Sequence, residues 1–354
     1  MVISKFDLML FSPHRKGVGF RGIMNKNLHN AKIAKNDEFY TQYSDIQKEV
    51  DAYLEYNPNV FRDKTILLPC DDPERSNFTK FFVQNFENFG LKKLISTCYT
   101  NTKNNCQADL FENDCSQNFN SHGKILIVTK DNLNSNWDYL AGDGDFRSSE
   151  IKALRDESDF IITNPPFSLF REFVSWIFET DKKFLIIGNM NAIKYKKISP
   201  LIKDNKMWLG KGFKNMVGHF INKFYTDYAT ASDHKEGMIR VPGVVWFTNL
   251  EHGIKHKPLL LLTMNDNLRF NKKLKNPKYQ YAYKKYDNYD AIEIPLTEAI
   301  PSDYDGVMGV PITFLDKYCP EQFKIVKFRK GDDDRDLSVN GKCPYFRILI
   351  RKIK

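Results

Sequence analysis

Asn164-Pro165-Pro166-Phe167 stands where Asp159 to Thr163 (DFIIT), read as a strand, is stopped by two prolines that cannot donate to a sheet ladder. These residue types suit one kind of chemistry. A nitrogen conjugated to a ring is a poor nucleophile because its lone pair is delocalised, so an enzyme alkylating it must draw that nitrogen toward tetrahedral geometry. Two acceptors suffice. The Asn164 side-chain oxygen and the Pro165 carbonyl, in a turn stiffened by Pro166, can take both amino hydrogens and aim the lone pair at a methyl donor. Phe167 offers a ring on which an extruded base can stack, since the reacting atom is out of reach inside a duplex. Neither a metal nor a strong base is required. The same four residues also make a plain strand-terminating turn, so their surroundings must decide between the readings.

A scaffold has to hold these groups, and its signals alternate between residues 65 and 190. Thr65 to Cys70 (TILLPC) reads as a buried strand, and Pro73 with Ser76 opens a helix that puts Phe78, Phe81, Phe82, Phe86 and Phe89 on one face. Gly90 ends it. Strands follow at Leu94 to Tyr99, Lys124 to Thr129 and Lys183 to Ile187, with a polar loop from Thr100 to Asn120. Phe170, Phe173, Val174, Ile177 and Phe178 keep a helical stripe directly after the proline pair. Repeated strand-helix-strand units predict an α/β fold, a parallel sheet with helices on both faces, whose ligands bind at the carboxyl ends of the strands. Ahead of it, Tyr43 to Tyr56 reads as a helix with Ile46, Val50, Tyr53 and Leu54 inward. Beyond about residue 200 the pattern weakens into mixed strand and loop, with strand-like pieces at Gly243 to Thr248, Leu259 to Leu262, Ala291 to Ile294 and Phe346 to Ile350. The expected division is a basic N-terminal arm (1–36), a catalytic domain (37–205) and a C-terminal region (206–354).

Composition agrees with a globular protein. The 354 residues are 42% hydrophobic and include 28 Phe and 17 Tyr, enough for a sizeable aromatic-rich core. No apolar run approaches the roughly 18 residues that span a bilayer, and the N-terminal segment lacks a secretory pattern, so a cytoplasmic protein without membrane association is expected. Six cysteines without a CxxC pair make neither a disulfide scaffold nor a zinc ribbon, and Cys98, Cys106, Cys115 and His122 match no structural zinc spacing; no metal is expected. The net charge of +9 points to an anionic partner. Residues 1–36 carry seven cations against Asp7 alone. Between Phe270 and Tyr286, Lys272, Lys273, Lys275, Lys278, Lys284 and Lys285 interleave with Tyr279, Tyr281 and Tyr283 without an acid, as a nucleic-acid surface requires and as a solvated face also allows.

The tetrapeptide at Asn164 resembles motif IV of amino-directed S-adenosylmethionine methyltransferases. Asp37-Glu38-Phe39-Tyr40-Thr41 is similar to the donor-contacting motif that precedes the sheet in adenine methyltransferases, and Gly142-Asp143-Gly144-Asp145-Phe146 to the segment whose Asp meets the donor's adenine amino group. More specifically, Cys70-Asp71-Asp72-Pro73-Glu74-Arg75-Ser76-Asn77-Phe78 and the distal Asp303 to Leu315 segment resemble the EcoRI-type adenine-specific DNA methyltransferases, over most of residues 30–350. That resemblance implies a Rossmann-like methyltransferase sheet in the gamma order of motifs, a C-terminal target-recognition region and methylation of a flipped adenine in double-stranded DNA. It implies catalytic roles for Asn164, Pro165, Pro166 and Phe167. Donor contacts then fall to Phe39, Tyr40, Thr41, Cys70, Asp71, Asp145 and Phe146, and DNA contacts to the six lysines. It also suggests GAATTC as a candidate site and a functional pairing with a restriction endonuclease; a monomer is expected. Two departures stand out: the turn after the first strand has no glycine, and the strand ending near Thr100 lacks the acid usually found on the donor's ribose. A protein glutamine methyltransferase, which alkylates another conjugated nitrogen, and a non-catalytic DNA-binding protein on a methyltransferase scaffold are the competing readings. Replacing Lys272, Lys273 and Lys275 together should weaken DNA binding on every sequence and flatten its salt dependence, read from affinities across a salt series; an unchanged slope returns the cluster to a solvated face.

Overall fold

The computed structural model describes residues 40–100, 122–133, 135–213, 216–221 and 238–353. Phe39 and the basic arm lie outside them. The described chain begins with β1 (Tyr40–Thr41) and helix α1 (Tyr43–Tyr56), whose Ile46, Val50 and Tyr53 are fully buried. Then come β2 (Thr65–Leu68) and α2 (Asn77–Gln84). Ser76 caps α2, its hydroxyl accepting the Phe78 N–H at 3.0 Å. Phe78, Phe81 and Phe82 are buried on its inner face; Phe86 and Phe89 lie beyond the helix end but pack into the same core.

The chain continues through β3 (Lys93–Cys98), β4 (Lys124–Thr129), β5 (Asp138–Tyr139), α3 (Ser149–Glu157), β6 (Phe160–Thr163), α4 (Phe170–Ile177) and β7 (Lys183–Asn189). Beyond it come α5 (Ser199–Lys203), β8 (Trp208–Leu209), β9 (Val217–Ile221), β10 (Ile239–Pro242), β11 (Val244–Thr248), α6 (Met264–Phe270), β12 (Ala291–Glu293), β13 (Val307–Pro311), β14 (Phe323–Phe328) and β15 (Arg347–Lys352).

One eight-stranded sheet, in the order β5-β4-β3-β2-β6-β7-β11-β8, is the centre of the molecule. β3, β2, β6 and β7 run parallel, as the alternation predicts. The sheet as a whole is mixed, because β4 runs antiparallel to β3 and β11 antiparallel to β7. Cys98 at the end of β3 pairs with Lys124 at the start of β4, so the chain re-enters the sheet at the edge it has just left, and a strand entering there must run backward. β8 and β11 come from beyond residue 205, so the central sheet draws strands from both sides of that position.

Both faces of this sheet are covered. Along β6 and β7, Ile161, Phe184 and Ile186 face the core built with α3, α4 and the C-terminal sheet, while Phe160, Ile162, Leu185 and Ile187 face the core built with α1 and α2. This period-two split of an all-apolar strand is the mark of a doubly covered sheet. β1, β9 and β10 form a small sheet, and β12-β13-β15-β14 another. The strand-like pieces at Ala291 and Phe346 correspond to β12 and β15, shifted by a residue or two at their ends. Leu259 to Leu262 is not a strand: it makes a single bridge, Leu262 with Pro301, and Leu260 is fully exposed. Its leucines lack the polar alternation and the neighbouring edge that would order a strand.

Gly188 on β7 is one position where the site's support depends on a missing side chain. A Cβ there would lie 2.5 Å and 2.7 Å from ring atoms of Phe170, which opens α4, and 3.0 Å from Phe247. Gly188→Ala should therefore destabilise the fold by about 1–3 kcal/mol through overpacking, measured as a lowered urea midpoint; an unchanged midpoint would show that the Phe170 ring can move aside.

Candidate active site

β2 and β6 are parallel neighbours, yet the chain passes from β2 to β3 on one side and reaches β6 on the other. Their carboxyl ends therefore flank the switch point of the sheet, where open α/β folds bind ligands. The loop after β2 carries Cys70, Asp71 and Asp72, and the loop after β6 carries Asn164 to Phe167.

Asp71 joins the two loops. Its Oδ1 accepts the Ser76 hydroxyl and its Oδ2 the Thr163 hydroxyl, each at 2.6 Å. Its N–H donates to the Thr97 carbonyl at 2.9 Å, and its own carbonyl accepts the Ser96 hydroxyl at 2.6 Å. One buried residue thus fastens the ends of β2, β3 and β6 and the start of α2. Burial pushes its carboxyl up to about 7, against the opposing pull of the Ser76 and Thr163 hydroxyls. Asp72 makes a turn, accepting the N–H groups of Glu74 and Arg75 at 2.8 and 3.2 Å. Cys70 is half-buried beside them.

Thr41 supplies a second junction. β1 is held antiparallel to β9, with Tyr40 opposite Ile221 and Thr41 opposite Phe220. From there the Thr41 carbonyl accepts the Asn77 side-chain amide at 2.8 Å, and its hydroxyl accepts the Asn164 Nδ2 at 3.3 Å. The three motifs around Tyr40-Thr41, Asp71 and Asn164, more than a hundred residues apart at the extremes, therefore meet at one sheet edge. Pro165 is buried, and Pro166 and Phe167 are half-buried. The Pro166 carbonyl accepts the Leu169 N–H at 3.0 Å and starts the short turn that leads into α4.

The Gly142–Phe146 loop lies over the end of β3: Thr100 donates to the Asp143 carbonyl, and Gly123 to Gly142, each at 2.9 Å. Gly144 has φ +82°, and any Cβ on it would collide with the Cys98 carbonyl, so glycine is required here. Asp145 is gripped by Arg147 through two bonds, 2.9 Å from Nε and 2.6 Å from Nη2, which hold its carboxyl below the usual range. Arg147 also reaches Glu172 on α4 at 3.1 Å. Phe146, read from the sequence as a face for the donor's ring, is buried and packs edge-on against Phe173 and Trp176 at centroid distances of 5.1 and 5.7 Å. Tyr99, just beyond the end of β3, is 41% exposed.

Lys272, Lys273, Lys275, Lys278, Lys284 and Lys285 are all exposed. Lys273 pairs with Glu298 at 3.0 Å and Lys285 with Asp290 at 3.1 Å. Their tyrosines serve the fold: Tyr279 and Tyr283 pack against the main core, and the Tyr283 hydroxyl donates to the Ala299 carbonyl at 2.8 Å. Among the described residues no cluster of three His, Cys, Asp or Glu could hold a metal, and no helix is long and apolar enough to cross a membrane. Cys106 and Cys115 lie outside those residues.

A Rossmann-like sheet with an Asn-Pro-Pro-Phe loop at its switch point defines a methyltransferase of the amino-directed kind, and comparison with known proteins agrees. The family model described as "Adenine-specific methyltransferase EcoRI" matches residues 27–353. The chain is 47% identical to the Type II methyltransferase M.EcoRI of Escherichia coli over 340 residues, covering 94% of this chain and 98% of that one. It is 34% identical to M.MgeORF184P of Mycoplasma genitalium (92% and 98% covered) and 35% identical to M.MpnI of Mycoplasma pneumoniae (84% of each). No solved structure matches it. The chain belongs to the EcoRI-type family of adenine-specific DNA methyltransferases.

Two buried carboxyls give this fold a pH signature. Glu49 on α1 accepts the Tyr53 hydroxyl at 2.7 Å and the N–H groups of Lys211 and Gly212 at 3.0 and 2.8 Å, and burial still pushes it up to about 7, as it does Asp71. With folded values near 7 and unfolded values near 4, the native state binds more protons than the unfolded chain between those limits. Stability should therefore fall as pH rises from about 4 to about 7, by up to roughly 1.4 kcal/mol per pH unit per group. Urea melts of Glu49→Gln should show a shallower decline than wild type; an equal decline would place the titration elsewhere.

Proposed function

We propose that this enzyme binds double-stranded DNA, extrudes one adenine to the β2–β6 switch point and methylates its exocyclic amino group. The observation that carries this reading is the Asn164 loop, tied through Thr163 to Asp71 and through Asn164 itself to Thr41.

In this reading Asn164 Oδ1 and the Pro165 carbonyl accept the two amino hydrogens, steer the lone pair out of the ring plane and stabilise the positive charge that develops on the nitrogen. Thr41 holds the nitrogen end of the Asn164 amide, and the oxygen end serves the base. Pro165 and Pro166 keep the carbonyl from turning away. Phe167 packs on the extruded ring.

The residues present fit S-adenosylmethionine as the donor. Asp72, Asp143 and Asp145 bring carboxylates to the edge where a cationic donor is favoured, and Tyr99 adds a partly exposed aromatic ring there. Bound there, it supplies the electrophilic methyl group. Tyr40, Thr41, Cys70, Asp71 and Asp145 line or brace its place, with Asp71 acting through the loops it joins, and Phe39 extends the same segment outside the described residues. Phe146 supports Asp145 from the core. The lysines from 272 to 285 contribute long-range attraction for DNA.

The target-recognition role falls to the region after residue 205, and GAATTC is the first site to try. A cytoplasmic monomer protecting DNA from a companion endonuclease completes the proposal. Methyl transfer from labelled donor to unmethylated duplex, followed by digestion to nucleosides, should yield methylated adenosine. Asn164→Ala should lower the rate by at least about a hundredfold while leaving donor binding and the folding midpoint near wild type. Near-normal turnover by that variant would remove Asn164 from the reaction.

A further inference from the structure

The edge that presents Asn164 carries a second surface, formed where β7 ends. There the chain turns through Met190–Lys194 and continues as Tyr195, Lys196 and Lys197 before α5. The Lys194 ammonium lies 4.2 Å from the centroid of the Tyr345 ring and also meets its hydroxyl, which donates to Asn191 Oδ1 at 3.1 Å. On the other flank, the Arg171 guanidinium, in the first turn of α4, lies 5.2 Å from the centroid of Tyr195. Two cation–aromatic pairs therefore form a strip from the helix after the Asn164 loop to the segment that leads into β15. Beside it opens a cavity of about 260 Å³ lined by Lys194, Arg329, Cys343, Tyr345 and Phe346 among others.

The cations of this strip are not neutralised by neighbouring carboxylates. Among the described residues, Arg171, Lys194, Lys196 and Lys197 form no ion pair with a carboxylate. Arg329 and Arg347 nearby are paired, with Asp336 and Glu293, and in the 272–285 cluster Lys273 and Lys285 are paired with Glu298 and Asp290, while Lys272, Lys275, Lys278 and Lys284 likewise form no ion pair among the described residues. Lys196 and Lys197 are exposed, and Tyr345 and Tyr195 are 57% and 37% exposed. Cations without carboxylate partners, interleaved with exposed aromatic rings, fit a polyanion that carries planar groups. The position fits too. β7 is the parallel neighbour of β6, with Ile186 opposite Thr163, and Arg171 lies four residues after Phe167. A duplex that delivers a base to Asn164 must lay its backbone beside this loop.

We propose that Arg171, Tyr195, Lys194 and Tyr345, with Lys196 and Lys197, hold the phosphodiester backbone of the DNA next to the extruded adenine. This rests on the reading that Asn164 receives that adenine. The contact is made to phosphate and is blind to sequence, so it positions the strand while other residues choose the site.

The test uses the full chain and duplexes with and without GAATTC, comparing wild type with the double variant Lys196→Gln/Lys197→Gln and with Lys194→Gln. The slope of log affinity against log salt should flatten by about 0.9 per lysine removed, hence by about 1.8 in the double variant. The affinity loss should be alike on both duplexes, and Lys196→Arg/Lys197→Arg should restore the slope. Donor binding, measured on the same samples, reports that the variants are folded. Wild-type slopes in variants that still bind DNA would overturn the strip, and so would a loss confined to the GAATTC duplex, which would make these residues base readers. Wild-type protein that neither binds nor methylates DNA would instead overturn the functional reading on which the strip depends.

Discussion

Asp71 accepts hydrogen bonds from Ser76 and Thr163, and so joins the ends of the two strands between which the chain reverses its order across the sheet. Parallel strands alone leave that point open, because nothing in a β ladder fixes the loops beyond it. The carboxyl group closes the gap from below. It sets the loop after β2, caps the region where α2 begins and anchors the last residue before Asn164. A charged group would be expensive in this place, and burial answers by raising its proton affinity while two hydroxyls satisfy its oxygens. The absence of glycine in this loop follows from the same arrangement: a side chain that reaches down to bind two neighbouring elements gives the loop its fixed shape.

Above that brace, the working groups are held by short, rigid connections. Thr41 reaches Asn77 on one side and Asn164 on the other, so the strand ahead of α1 acts as a strap over the carboxyl edge. Two prolines remove the freedom of the Asn164 loop, and the Phe170 ring seated over Gly188 fixes the start of the helix beyond it. Amino-directed methyl transfer needs geometry more than it needs a strong acid or base, and preorganised acceptors on rigid elements are how a fold provides it. Arg147 adds an electrostatic link, joining Asp145 of the loop over β3 to Glu172 of α4. The loop over β3 and the helix that follows the Asn164 loop are therefore connected by an ion network, in addition to the link that the buried carboxyl makes between the ends of β2 and β6.

Much of this was legible in the sequence because it is local. The strand, proline pair and apolar helix stripe around Asn164 lie within twenty residues, and a helix-opening Ser76 announces α2 without help from elsewhere. What escaped was set by long-range contacts. Asp71 could be placed on the right loop, but its partner Thr163 is 92 residues away, so its bracing role could not be read. Phe146 next to an acid suggested a ligand face, whereas the fold buries the ring because Phe173 and Trp176 of α4 present aromatic edges to it. Alternating strand and helix signals predicted the parallel centre of the sheet and carried no information on β4 and β11, whose direction depends on which edge the chain re-enters. The basic residues after β7 carry no distinguishing signal in the sequence, because what gives them a surface is Tyr345, 151 residues later, which the fold brings onto Lys194.

The central claim is that one place, the end of β2 and β6, receives both the methyl donor and the extruded adenine. A crystal structure of the protein with S-adenosylhomocysteine and a duplex containing GAATTC tests it most directly. The account predicts the target adenine outside the helix, its amino nitrogen within hydrogen-bond distance of Asn164 Oδ1 and the Pro165 carbonyl, with the donor product lying between the Asp71 loop and Asp145. An adenine that remains stacked, or a donor product bound away from that edge, would contradict it.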